Sequence, residues 1–149
     1  MNYSLVFQPS FDFRFPLFGL ALAVVGSLIA AYRRDVGYGL VGAGLIWALV
    51  TAAFLGKEYY VLNHAARDPA TPAVIGTVEE FVAEPMDGHS EESFRVGDQR
   101  FVYSSFNHTG GFHQGRARGG PIHQGLPVRI GYLPTESGNL IVKLEIALK

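Results

Sequence analysis

Cysteine is absent from the 149 residues. That removes disulfides, thiol nucleophiles, thiolate metal sites and lipoprotein anchoring, and it leaves the redox compartment open. Charge is missing from two long stretches: Pro16–Tyr32 and Val36–Gly56 contain no Asp, Glu, Lys, Arg or His. Such runs offer no proton relay, ion pathway or transporter site. Nor does the chain contain a G-x-x-x-x-G-K-S/T phosphate loop or a dinucleotide fingerprint, so no cofactor is expected. A basic field is lacking too. Between Pro69 and Lys149 seven Lys/Arg face nine Asp/Glu, and the whole chain carries a net charge of −1. No nucleic-acid partner is expected from that balance.

What is present is apolar. The runs Pro16–Tyr32 and Val36–Gly56 are separated only by Arg33-Arg34-Asp35. Each is close to the roughly 20 residues a helix needs to cross a bilayer. The spacer reads as a tight turn at a membrane surface, and the pair as a transmembrane helical hairpin over 16–56. A cleaved signal peptide fits poorly. The region before the first run has no basic cluster, the run ends on no clean small-x-small site, and a second apolar run follows at once.

Gly19, Ala23, Ser27 and Ala31 recur every fourth residue, as do Gly44, Ala48, Ala52 and Gly56. In lipid, helices associate through close van der Waals approach, which such small-residue stripes permit. The stripes would serve the hairpin itself, a homo-oligomer or a membrane-protein partner. Tyr32, Tyr38, Tyr59 and Tyr60 fall near the run ends, where aromatic rings favour the interface. Trp47 is mid-run and is expected against a partner helix. Orientation is close to balanced: Arg14, Lys57 and Arg67 flank one side and Arg33 and Arg34 the other. The count leans towards a cytoplasmic downstream domain in a multi-pass inner-membrane protein.

Residues 1–15 form an amino-terminal tail in which Phe11, Phe13 and Phe15 alternate with Asp12 and Arg14. The tail reads as an interfacial or strand-like segment, or as a plain lead-in to the helix. Residues 57–72 read as a helix extension and linker, stopped by Pro69 and Pro72. The pattern then turns strand-like over 73–149. Val74–Val82 is rich in β-branched residues. Ser93–Val96 and Arg100–Ser104 alternate about Gly97-Asp98, as in a hairpin. Pro127–Tyr132 and Leu140–Ile146 form a second pair joined through 134–139. The expected fold is therefore a membrane α-helical hairpin plus a small all-β domain, an SH3-like or OB-like barrel of about five strands. Closure would remove exposed sheet edges.

The layout Gly76-Thr77-Val78, Phe94-x-Val96-x-x-x-x-Phe101-x-Tyr103 and Gly125-x-x-Val128-x-Ile130-x-Tyr132-x-Pro134 resembles bacterial membrane proteins of the DUF3592 type. The resemblance implies hydrophobic spans paired with a small β-domain of unknown function, and it carries no catalytic residues. Here both spans precede the domain, whereas that family often flanks it.

Candidate chemistry concentrates in Asn107–Gly125. Gly110-Gly111-Phe112-His113-Gln114-Gly115 is nearly repeated as Gly119-Gly120-Pro121-Ile122-His123-Gln124-Gly125, with Arg116 and Arg118 between the copies. Exposed backbone N–H groups and guanidinium forks would suit an anion such as phosphate or a lipid head group. Arg116, Arg118, His113 and His123 are the expected ligand-binding residues; the alternative is a solvated barrel loop. His64, His89, His108, His113 and His123, with Asp87 or Glu91, raise a metal site, but no pair has H-x-x-x-H spacing. Ser104, Ser105, His108 and Asp98 raise nucleophilic catalysis without an elbow signature. Glu79-Glu80 and Glu91-Glu92 are adjacent strand pairs whose members point to opposite faces, and they read as solvated charges. The function that emerges is a membrane-anchored binding or scaffolding module. The alternative is a membrane-associated hydrolase or metal-dependent enzyme using the loop histidines.

Overall fold

The computed structural model describes residues 2–85, 90–106 and 110–148. Two compact units make up the chain: Ser10–Tyr60, and Met1–Pro9 together with Val61–Lys149.

The first unit holds helix α1 (Arg14–Ala30) and most of helix α2 (Arg34–Arg67). The Asp12 carboxylate accepts the Arg14 N–H at 2.9 Å as α1 begins. At its other end the N–H groups of Tyr32 and Arg33 both turn back to the Ile29 carbonyl. The contact between the helices is made of small residues. A Cβ on Gly19 would lie 2.7 Å from the Gly44 carbonyl oxygen, and one on Gly44 would lie 2.5 Å from that of Gly19. Gly26 meets Leu40 and Val41, and Gly37 meets Ala30. The contact runs 19, 23, 26, 30 on α1 and 37, 41, 44, 48 on α2. A strict four-residue stripe would drift by roughly 40° per step at 3.6 residues per turn, and the alternating steps of four and three cancel the drift. The expected stripe is corrected accordingly. Ser27 and Ala31 are exposed, Gly26 and Ala30 take their places, and Ala52 and Gly56 are only half-buried. Ser27 Oγ donates instead to the Ala23 carbonyl at 2.9 Å. Trp47 is half exposed, with its ring edge-on to Phe18 at 6.4 Å.

Of the described helices, α2 alone is long and apolar enough to cross a membrane. Where spans over 16–32 and 36–56 are expected, the structure has one helix of 17 residues and one of 34, and only the second meets that length. The first helix starts at Arg14 and stops at Ala30, so two of the run's apolar residues go to the turn.

The second unit is a six-stranded antiparallel sheet. Its strands are β1 (Tyr3–Phe7), β2 (Ala73–Val82), β3 (Glu92–Val96), β4 (Gln99–Tyr103), β5 (Pro127–Thr135) and β6 (Gly138–Ala147), in the order β1-β6-β5-β2-β3-β4. Strand β2 serves two neighbours. Ala73–Thr77 pairs with β5, and Val78 onward pairs with β3. Within the β3 pairing the register shifts between Glu79 and Val82, where Glu80 adopts φ 49°. Gly97, at φ 58°, makes the tight β3–β4 turn that its position between alternating strands anticipates.

Two features depart from expectation. The strand count is six rather than about five. The extra strand comes from the amino-terminal tail, where Tyr3–Phe7 pairs with β6. The sheet is also open rather than a closed barrel, with β1 and β4 as its edges. Side chains and loops span the gap instead: Asn139 Nδ2 donates to Gln99 Oε1 and to the Arg100 carbonyl at 3.1 Å, and the Phe112 N–H donates to the Ile141 carbonyl at 2.9 Å.

The inward strand positions Val78, Phe94, Val96, Phe101, Val128, Ile130 and Leu144 form the core. Phe94 stacks on Phe101 at 5.2 Å. Strand β6 is buried on both faces, because Val142 lies outside this core under Leu62 and Ala65 from the last turns of α2. That helix ends at Arg67, just before the two prolines, as expected.

Candidate functional site

Strand alternation places a carboxylate in the interior. Along β3 the buried positions are Glu92, Phe94 and Val96, and Glu92 has no exposed surface at all. Glu84, just past the end of β2, is 3% exposed. The two glutamates meet at one end of the sheet, where the segments around 83–85, 104–106 and 110–118 converge.

Each carboxylate is met by donors from different segments. Glu84 accepts the Ser104 hydroxyl, and its Oε2 accepts the Ser105 N–H at 3.1 Å. Glu92 accepts the Tyr103 hydroxyl, and its Oε2 accepts the Arg116 N–H at 2.8 Å. The Glu84 N–H also approaches Glu92 Oε2 at 3.5 Å. Ser105 Oγ accepts the Gly115 N–H at 2.9 Å. A Cβ at Gly115 would lie 2.6 Å from Ser105 Oγ and 2.7 Å from Glu84 Oε2, so only glycine fits there.

The electrostatics follow from these partners. Burial pushes the Glu84 carboxyl up, but the Ser104 and Ser105 hydrogen bonds and the Arg118 charge outweigh it and hold the group below its ordinary value of 4.5. Burial and then the adjoining Glu92 push the Tyr103 phenol far up, so it remains a donor throughout the accessible pH range. A carboxylate held ionised is a weak base. The buried Ser104 hydroxyl bonded to it is therefore not an activated nucleophile.

The glycine-rich loop is more ordered than a solvated one. Phe112 is 3% exposed and Ile122 is 1%, so each near-repeat plants one apolar residue in the core just ahead of its histidine. His113 Nδ1 lies 2.9 Å from the Gly111 carbonyl and His123 Nδ1 lies 3.0 Å from that of Gln124. A carbonyl only accepts, so both Nδ1 atoms carry protons. Arg116 and Arg118 form a 3-10 turn whose side chains are exposed. The N–H groups of Gly115, Arg116, Arg118, Gly119 and Gly120 are all bonded within the protein. The backbone donors that an external anion would need are thus already used, two of them on Glu92 and Ser105. Arg118 also stacks over the Phe106 ring at 4.4 Å. Arg118→Ala should lower stability by less than about 1 kcal/mol in a urea titration, as for an exposed cation–π pair.

The histidines do not converge. His113 and His123 bond to separate carbonyls, His64 is on α2, and His89, His108 and Asp87 lie outside the described residues. No metal-ligand cluster of three or more occurs among the described residues. Asp98 sits in the β3–β4 turn, at the end of these strands remote from Ser104. A cleft of about 130 Å³ lies between the end of β4 and the β5–β6 turn, lined in part by Tyr103, Ser104, Phe112, Ser137 and Asn139. Ser104, Ser137 and Asn139 all bond within the protein.

The buried pair went unread in the sequence, although its signal was present. Adjacent Glu91 and Glu92 must face opposite ways on a strand, so one of them shares the face of Phe94 and Val96. No family model matches the chain, and neither a curated protein nor a solved structure is significantly similar to it.

Proposed function

We propose that the chain is an integral membrane protein whose helical hairpin holds the β-domain at one face of a bilayer, where the domain serves as a non-enzymatic binding or scaffolding module. The observation that carries this reading is the inverted packing of the hairpin. Its contact is built from Gly19, Ala23, Gly26, Gly37, Gly44 and Ala48, while its large apolar side chains point outward. Leu49 and Phe54 are each 73% exposed, and Leu28 is 68%. In water that arrangement leaves a large apolar surface uncovered. In lipid it is the expected one, since packing rather than apolar burial joins the helices.

Strand order supports two crossings over one. Strand β1 precedes α1 and pairs with β6, which follows α2. If α2 alone crossed, the two strands would be on opposite sides of the bilayer and could not bond. Helix α1, at 17 residues, is roughly 25 Å long, near the lower limit for a span. Both flanks of the hairpin then share the domain's side, and Arg33-Arg34-Asp35 lies on the other. The DUF3592-type resemblance, with its spans and small β-domain, points to the inner membrane of a bacterial cell.

The cysteine-free chain makes the test direct. Single cysteines replacing Tyr32 in the turn and Ser137 in the β5–β6 turn are both at exposed positions. In sealed vesicles of one orientation, a membrane-impermeant maleimide should label only one of them until detergent is added. The protein should also remain in the pellet after alkaline carbonate washing. Labelling of both positions from one side, or release by carbonate, would refute the reading. Which position reacts assigns the domain to its compartment.

A further inference from the structure

We infer that Glu84 and Glu92 form an acid-releasable latch that fastens the 110–118 loop to the end of the sheet. The inference concerns the β-domain alone and stands whether or not the hairpin lies in lipid. Its basis is where the donors come from. Neither carboxylate serves the strand ladders. Glu84 takes the Ser104 hydroxyl and the Ser105 N–H, while Glu92 takes the Tyr103 hydroxyl and the Arg116 N–H. Ser105 then passes the connection on by accepting the Gly115 N–H. Two acidic groups therefore tie together segments far apart in sequence, in an interior where each ionised oxygen has a donor.

A carboxylate accepts at both oxygens, but a protonated carboxyl must donate from one of them. A proton on Glu84 removes the charge that Arg118 and the Ser105 N–H face, and on the oxygen bonded to that N–H it sets a donor against a donor. Among the described residues, the titratable or charged groups facing the pair are Tyr103 from β4 and Arg118 from the 3-10 turn, along with each glutamate for the other. Tyr103 stays protonated and Arg118 stays charged, so neither changes state as pH falls. The acidity of Glu84 is increased by folding. Its contribution is thus fully present above the ordinary carboxylate value and is lost as pH falls through the lower folded one. The latch is closed at neutral pH and opens below about pH 4.5.

The other carboxylates on the strands, Glu79, Glu80 and Glu145, lie outside the aromatic core, and none of them holds the 110–118 loop. Opening is consequently local. It loosens Ser105, which holds the Gly115 N–H, beside the exposed guanidinium groups of Arg116 and Arg118. A loop whose donors are bonded internally then presents them outward.

Hydrogen exchange read by mass spectrometry on the full chain in detergent micelles tests this, from pH 7 to 3.5 with rates corrected for intrinsic exchange. Peptides covering 104–106 and 110–118 should lose at least tenfold in protection, while those covering β5 and β6 keep theirs. Ser104→Ala removes a donor to Glu84 and should move the midpoint up. Glu84→Gln removes the charge that the Ser105 N–H and Arg118 face and should weaken loop protection already at pH 7. Constant loop protection to pH 3.5, or loss in step with β5 and β6, overturns the latch. An unshifted midpoint in Ser104→Ala does so as well. The wild-type titration decides the matter even if Glu84→Gln fails to fold.

Discussion

Glu92→Ala should lower the stability of the β-domain by about 3 kcal/mol at neutral pH. The substitution removes the acceptor for the Tyr103 hydroxyl and the Arg116 N–H, both at a site with no exposed surface. Each orphaned buried donor costs roughly 1–3 kcal/mol. Removal of a buried negative charge gives back part of that by ending its desolvation, so the total falls towards the low end of the sum. Against a typical net stability of about 5–15 kcal/mol the loss is large. Neighbouring Glu91 is the natural control. It is exposed, and Glu91→Ala should change stability by less than about 0.5 kcal/mol. Urea titrations followed by tyrosine near-ultraviolet circular dichroism would compare the two, and equal midpoints would show that Glu92 is not the anchor described above.

Gly44→Ile should separate the two helices, at a cost of about 1–3 kcal/mol. The new Cβ would sit 2.5 Å from the Gly19 carbonyl oxygen and 2.7 Å from the Ala23 nitrogen. Both are backbone atoms, and no rotamer change can move them. Ordinary contact needs about 3.5 Å, so the helix backbones must part by an ångström or so. Gly39→Ile on the same helix places its Cβ where nothing lies within 4 Å, and should leave the contact intact. The sole tryptophan, Trp47, rests its ring edge-on against Phe18 of the other helix and serves as the probe. In a sodium dodecyl sulfate titration of mixed micelles, its emission should change at a lower fraction of denaturing detergent for Gly44→Ile than for Gly39→Ile. Coincident curves would remove the tight glycine contact from the account.

Local pattern made much of this fold readable. Alternation about Gly97-Asp98 located β3 and β4, the β-branched run Val74–Val82 located β2, and Pro69 and Pro72 marked the end of α2. Elements that depend on distant partners were harder to read. Tyr3–Phe7 is a short segment with weak alternation, and it is a strand because the free side of β6 accepts it. The β5–β6 turn was placed too broadly because Pro134, which lacks a donor, sits in the ladder opposite Asn139. The expected anion-binding loop holds a carboxylate of its own chain: the Arg116 N–H meets Glu92, and the neighbouring Ser105 N–H meets Glu84. That outcome needs Glu84, Glu92 and Arg116, which span 32 residues of sequence, brought together by the closing of two hairpin-like returns.

Because β1 is synthesised ahead of both helices and β6 after every other described element, their ladder is the last part of the sheet that can assemble. Until then one flank of β6 has unmet amide groups, open to pairing with a strand from another molecule. On the proposed topology the strand ahead of the helices waits while they are inserted, and its bonds to β6 would then act as a seal, recording that the hairpin has come back to the side from which it entered.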